Sequence, residues 1–73
     1  MKYVRLDGIG VVIWPETDEI WHRHIGRFGT PVSAGFVSTV GGVVSVHGRS
    51  ESLGMGPLSD DAKVIAQQLG LKA

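Results

Sequence analysis

Two runs of β-branched and aromatic residues, Phe36–Val40 and Val43–His47, flank Gly41-Gly42, and the rest of the chain is organised around this stretch. A Gly-Gly pair accepts the positive φ angles of a two-residue type I′ turn, so the pattern predicts a hairpin from Phe36 to Gly48. Such a turn pairs Val40 with Val43, Thr39 with Val44, Val37 with Val46, and Phe36 with His47. One face then carries Val37, Thr39, Val44 and Val46 and is mostly apolar. The other carries Phe36 and His47 at one end and Val40 and Val43 near the turn, with Ser38 and Ser45 between. An isolated hairpin is marginal in water, so other segments must cover it.

A similar alternation opens the chain. Lys2–Leu6 reads as a strand, Asp7-Gly8 as a hairpin signal, and Ile9–Trp14 as the returning strand. Pro15 ends that strand because proline cannot donate to a central ladder. Thr17 offers an N-cap, with Asp18 and Glu19 where a helix dipole favours negative charge. Trp21, Ile25 and Phe28 fall at i, i+4 and i+7 with Ile20 beside them, and Arg23 and Arg27 share another face. The spacing predicts a helix from Asp18 to about Arg27, weakened by Gly26 and ended by Gly29. Thr30-Pro31 starts an extended segment into the central hairpin, and the glycines of Gly48–Pro57 argue for an irregular loop. Ser59 or Asp60 caps a last helix running to Leu69, with Ala62, Ile65, Ala66 and Leu69 on its apolar face and Gly70 at its C-cap side.

The expected fold is one small α+β domain over residues 1–73, in the order β-hairpin, helix, β-hairpin, helix, with a mainly antiparallel sheet. The repeated order hints at an internal duplication. Identity between the halves is poor and hairpin-plus-helix units are common, so reuse of a simple local arrangement is the preferred reading.

Composition narrows the function classes. A chain of 73 residues buries only about 60% of its unfolded surface. It has no cysteine, so neither a disulfide nor a Cys-based zinc site can staple it. Seven basic residues balance seven acidic ones, against a general nucleic-acid coat or a membrane-surface protein. No apolar signal-like segment opens the sequence, and the expectation is a soluble, cytoplasmic protein.

Candidate chemistry is sparse. On a helix His22 and His24 point roughly 200° apart and cannot chelate one ion together, and His47 stands alone, so no metal is expected. His47, Ser50, Ser52 and Asp60 lie close in sequence, but Gly-Arg-Ser-Glu-Ser (48–52) is not a nucleophile elbow. Capping and dipole compensation account for Asp18/Glu19 and Asp60/Asp61. The loop 48–57 lacks the Lys-Ser/Thr of a P-loop. The expectation is a protein that is not an enzyme and uses no cofactor. Recognition fares better: Trp21 with Arg23 and Arg27, preceded by Trp14, are residue types enriched at interface hot spots, although a place in the core is the preferred reading for Trp21, because a domain without disulfides needs large aromatics there. Arg23 and Arg27, with Arg5 or Lys2, form a local positive patch, and Arg49–Ser52 is a polar run at the hairpin's end. The partner-binding candidates are therefore Arg5, Trp21, Arg23, Arg27, Arg49 and Glu51.

Three pieces carry a resemblance: Lys-Tyr-Val-Arg-Leu-Asp-Gly-Ile-Gly-Val-Val (2–12), Thr-Pro-Val-Ser-Ala-Gly-Phe (30–36), and Gly-Arg-Ser-Glu-Ser-Leu-Gly (48–54) with Asp-Ala-Lys-Val-Ile (61–65). Together they resemble a group of small phage-encoded proteins that includes regulators of transcription. The resemblance implies binding to the β and β′ subunits of bacterial RNA polymerase, in the cytoplasm of an infected host. It also implies inhibition of initiation by disturbing σ-factor engagement, and antitermination near nascent RNA. No functional residue carries over by motif. Two other readings stand beside it: a phage accessory protein binding another host protein, and a small nucleic-acid-binding module using Trp14, Trp21 and the arginines.

Overall fold

The computed structural model describes residues 1–17 and 19–73. It is a small α+β structure with strands β1 (Lys2–Leu6), β2 (Gly10–Trp14), β3 (Pro31–Ser38) and β4 (Ser45–His47), and helices α1 (His22–Ile25) and α2 (Asp61–Leu69). Short 3-10 turns follow α1 and β3, so the expected alternation of hairpins and helices is met only in outline. The sheet has the order β2-β1-β3-β4 and every neighbouring pair is antiparallel. No described helix is long and apolar enough to cross a membrane.

The central hairpin keeps the expected register, with Phe36 opposite His47 and Val37 opposite Val46, and Gly41 and Gly42 take φ of 63° and 75°. The ladder nevertheless stops at Ser38–Ser45, and the expected Thr39–Val44 and Val40–Val43 rungs are not part of it. The backbone leaves the strand at Thr39, and Val44 turns its N–H to Lys72 O at 2.7 Å. A main-chain bond to the C-terminal segment thus takes the place of the Thr39–Val44 rung, while the Val43 N–H still donates to Val40 O at 3.1 Å across the Gly-Gly turn. In the first hairpin Ile9 belongs to the turn rather than the strand: Leu6 pairs with Gly10, and Gly10 at φ 129° absorbs the extra residue.

The first helix differs most from expectation. Its expected start at Asp18 lies outside the described residues, and the N-cap is Trp21 rather than Thr17. The Trp21 N–H donates to His24 Nδ1 at 2.8 Å, while the His24 N–H donates to Trp21 O at 2.9 Å, closing a single turn. The chain then tightens into a 3-10 turn over Gly26–Phe28. This turn rotates most of the apolar stripe outward: only Ile25 joins the core, while Ile20, Trp21 and Phe28 are exposed and His22 is buried.

The sheet carries a core on each face. Tyr3, Val11, Val37 and Val44 pack against Ile65 and Ala66 of α2, as the alternation over Val37, Val44 and Val46 requires. Val4, Leu6, Trp14 and Ala34 lie on the other face under Ile25 and under Leu53 and Met55 of the 48–57 loop. That loop is pinned by the Ser50 N–H donating to Met55 O at 2.8 Å. The two helices therefore cover opposite faces. A twofold axis normal to the sheet exchanges β1 with β3 but not the faces, so this operation does not relate the two halves.

At the start of α2 the acidic pair acts unexpectedly. Asp60 is the N-cap, yet its side chain makes no cap hydrogen bond and instead meets Arg5 Nη1 at 2.8 Å. The fully buried Asp61 accepts four bonds: Tyr3 Oη at 2.6 Å, Ser33 Oγ at 3.0 Å, Leu58 N at 2.9 Å and Arg5 Nη1 at 3.1 Å. Dipole compensation alone does not describe it; Asp61 ties α2 to β1 and β3.

Candidate partner-binding groove

Lys2 and Phe36 face each other across the β1–β3 ladder, which places the start of β1 beside α1 and the 48–57 loop. Between these segments runs an open groove of about 460 Å³, lined by Lys2, Trp21, His22, Arg23, Phe36, Arg49, Glu51 and Ser52. Such a volume lies toward the lower end of the ~300–1,000 Å³ usual for ligand pockets.

His22 forms a rigid base. It is 5% exposed, its Nε2 lies 2.8 Å from Gly35 O, and its ring meets Trp14 and Phe36 edge-on at centroid separations of 5.4 and 5.5 Å. Phe36 in turn stacks on His47 at 5.9 Å. Gly48 makes this wall possible: it holds φ 68°, and a Cβ there would stand 2.8 Å from Phe36 Cδ2. On the other wall Trp21 is 49% exposed, which removes it from the core. The Arg23 guanidinium sits over the Trp21 ring at 4.3 Å, a cation–π contact, and the Arg23 N–H donates to Ser52 Oγ at 3.2 Å. The Lys2 ammonium donates to Ile20 O at 3.2 Å, as does the Trp14 indole N–H at 3.0 Å, so the approach to α1 is fixed from both strands of the first hairpin.

Of the six sequence candidates, the fold brings Trp21, Arg23, Arg49 and Glu51 into this groove. Arg5 lies on the α2 face, paired with Asp60 and Asp61; these contacts hold its guanidinium more firmly protonated and hold the Asp60 carboxyl below the usual aspartate range. Arg27 is exposed in the 3-10 turn and lines neither this groove nor the hollow of about 470 Å³ beside Arg5. Ser52 joins the site as part of the polar run 49–52, and His22 and Phe36 join it without having been singled out for binding. Lys2 carried a signal as one of the basic residues near the patch, whereas Phe36 and His22 reach it through strand order, which local sequence does not encode.

Compared with protein-family models, with curated proteins and with solved structures, the chain matches none.

Proposed function

We propose that this chain is a phage transcription regulator that binds bacterial RNA polymerase, as its resemblance to small phage proteins (the Xanthomonas phage regulator in particular) implies, and that the Trp21–Arg49 groove is the contact surface. The observation that carries the surface is the half-exposed Trp21 under Arg23, lining one open groove together with Phe36, Arg49 and Glu51. Trp and Arg are the residues whose truncation most often weakens an interface, and here the protein core does not require the Trp. A groove set on two strands and pinned through His22 meets its partner with little reorganisation.

In this reading the protein acts in the infected cell's cytoplasm without an enzymatic step or cofactor. Contact with β and β′ disturbs σ engagement and inhibits initiation, and the same attachment near emerging RNA opposes terminator hairpins. Tagged protein is incubated with purified core polymerase and with holoenzyme. Retention of β and β′ with depletion of σ is expected. Absence of both subunits from the beads sinks the reading, and a different host protein held in the matched lysate would take its place.

A further inference from the structure

We infer that the groove's occupant is an acidic polypeptide segment carrying one apolar anchor; this rests on reading the groove as the contact surface. The chain is neutral overall but sorts its charge unevenly. On the α2 face Arg5 is held by Asp60 and Asp61, and at the start of β1 the terminal ammonium is held by Glu16 at 2.9 Å. The groove instead collects three cations, Lys2, Arg23 and Arg49, against one carboxylate, Glu51. Among the described residues none of these four makes an ion pair. Three of the six Lys and Arg side chains that make no ion pair among the described residues thus line this groove beside Trp21 and Phe36, and potentials of opposite sign select a partner there.

The same geometry separates a peptide from a nucleic-acid strand. Single-stranded nucleic acid is held by bases stacking on free aromatic faces. Here Arg23 lies over Trp21, and His47 stacks on Phe36, so each ring already has a face occupied from within the chain. A guanidinium seated on a ring keeps N–H donors at its edge, the arrangement suited to a carboxylate. Carboxylates of an extended segment would meet Arg23, Arg49 and Lys2, and an apolar side chain would rest against Phe36 and Trp21.

The test uses the full 15N-labelled chain at low salt and three probes: the blocked peptide Glu-Asp-Phe-Asp-Glu, its counterpart Lys-Lys-Phe-Lys-Lys, and a single-stranded oligouridine. The acidic peptide is expected to shift the Trp21 indole and the amides of Arg23, Glu51 and Ser52, with affinity falling at least about tenfold in Arg49→Glu and with rising salt. The basic peptide is expected to shift none of them. Equal shifts by the basic peptide, preferential shifts by the oligouridine, or no shift by the acidic peptide at millimolar concentration overturns the inference. Polymerase capture is measured beside it. Capture undiminished by Arg49→Glu, with no peptide binding, defeats the acidic occupant and leaves the polymerase reading standing; peptide binding without capture does the reverse.

Discussion

Replacing Asp61 by alanine probes the contact that joins α2 to the sheet. The carboxylate is fully buried and accepts from Tyr3, Ser33, Leu58 and Arg5. Removing it strands the hydroxyls of Tyr3 and Ser33, both 0% exposed, and each unpaired donor costs about 1–3 kcal/mol. Arg5 keeps Asp60, and Leu58 is 46% exposed, so water replaces part of those two contacts. The expected loss is about 3–5 kcal/mol, as for other broken buried pairs. Roughly 0.05–0.15 kcal/mol per residue gives this chain only about 4–11 kcal/mol in total, so Asp61→Ala unfolds at far lower urea or at none. Asp61→Asn falls between the two, because its NH2 faces two donors whichever way the amide is turned. Tyr3→Phe, which leaves Asp61 three donors, is expected to cost about 1.5–3 kcal/mol. Urea titrations followed by tryptophan fluorescence, to which the buried Trp14 contributes, measure all three. An Asp61→Ala midpoint equivalent to less than about 1 kcal/mol of loss, at unchanged slope, refutes the reasoning.

Other outcomes follow from the same geometry. Burial, then the hydrogen bond to Asp61, pushes the Tyr3 hydroxyl well above its usual 10.0, so the folded state holds that proton more tightly than the unfolded chain. Stability from Tyr3 is therefore intact below pH 10 and falls as pH rises beyond it; Tyr3→Phe should flatten the alkaline limb of a urea-midpoint profile, and an equally steep limb contradicts the assignment. Gly41 and Gly48 have similar positive φ, 63° and 68°, but only at Gly48 would a Cβ strike a ring. Gly41→Ala should cost about 1–2 kcal/mol, and Gly48→Ala more, with shifted Phe36 and His47 resonances; equal effects count against the packing. Gln68 caps the open edge of β2, accepting from Val11 N at 2.9 Å and donating to Val11 O at 2.6 Å. Gln68→Ala should cost about 1 kcal/mol and speed hydrogen exchange at the Val11 amide, whereas unchanged exchange removes Gln68 as the cap.

Much of the sheet was legible because its rules are local. A Gly-Gly pair between β-branched runs sets the register of β3 on β4, and alternation sends Val37 and Val44 to the α2 face. What stayed hidden depends on distant chain segments. The pairing of β1 with β3, which brings Lys2 beside Phe36, leaves no mark within either strand. The Thr39–Val44 rung of the central hairpin was lost to Lys72, far along the chain. The stripe Trp21, Ile25, Phe28 suggested a full helix, but Trp21 capped by His24 and the close approach of Leu53 to Gly26 leave one turn of α-helix and a 3-10 turn. That shortening exposes Trp21 and buries His22, so the residue types of the groove were readable while their assembly was not. Arg5 shows the converse: a basic residue suited to a surface patch is drawn into an internal network by two carboxylates at the start of α2.

The central claim is that the groove binds polymerase, and the most direct measurement is the affinity of core polymerase for the wild-type chain and for Trp21→Ala. Trp21 is half-exposed, so the variant should keep a urea midpoint close to wild type. The account predicts at least about a tenfold rise in Kd, equivalent to about 1.4 kcal/mol lost at a buried interface anchor. Wild-type binding unaffected by the substitution, in a variant of unchanged stability, would contradict it.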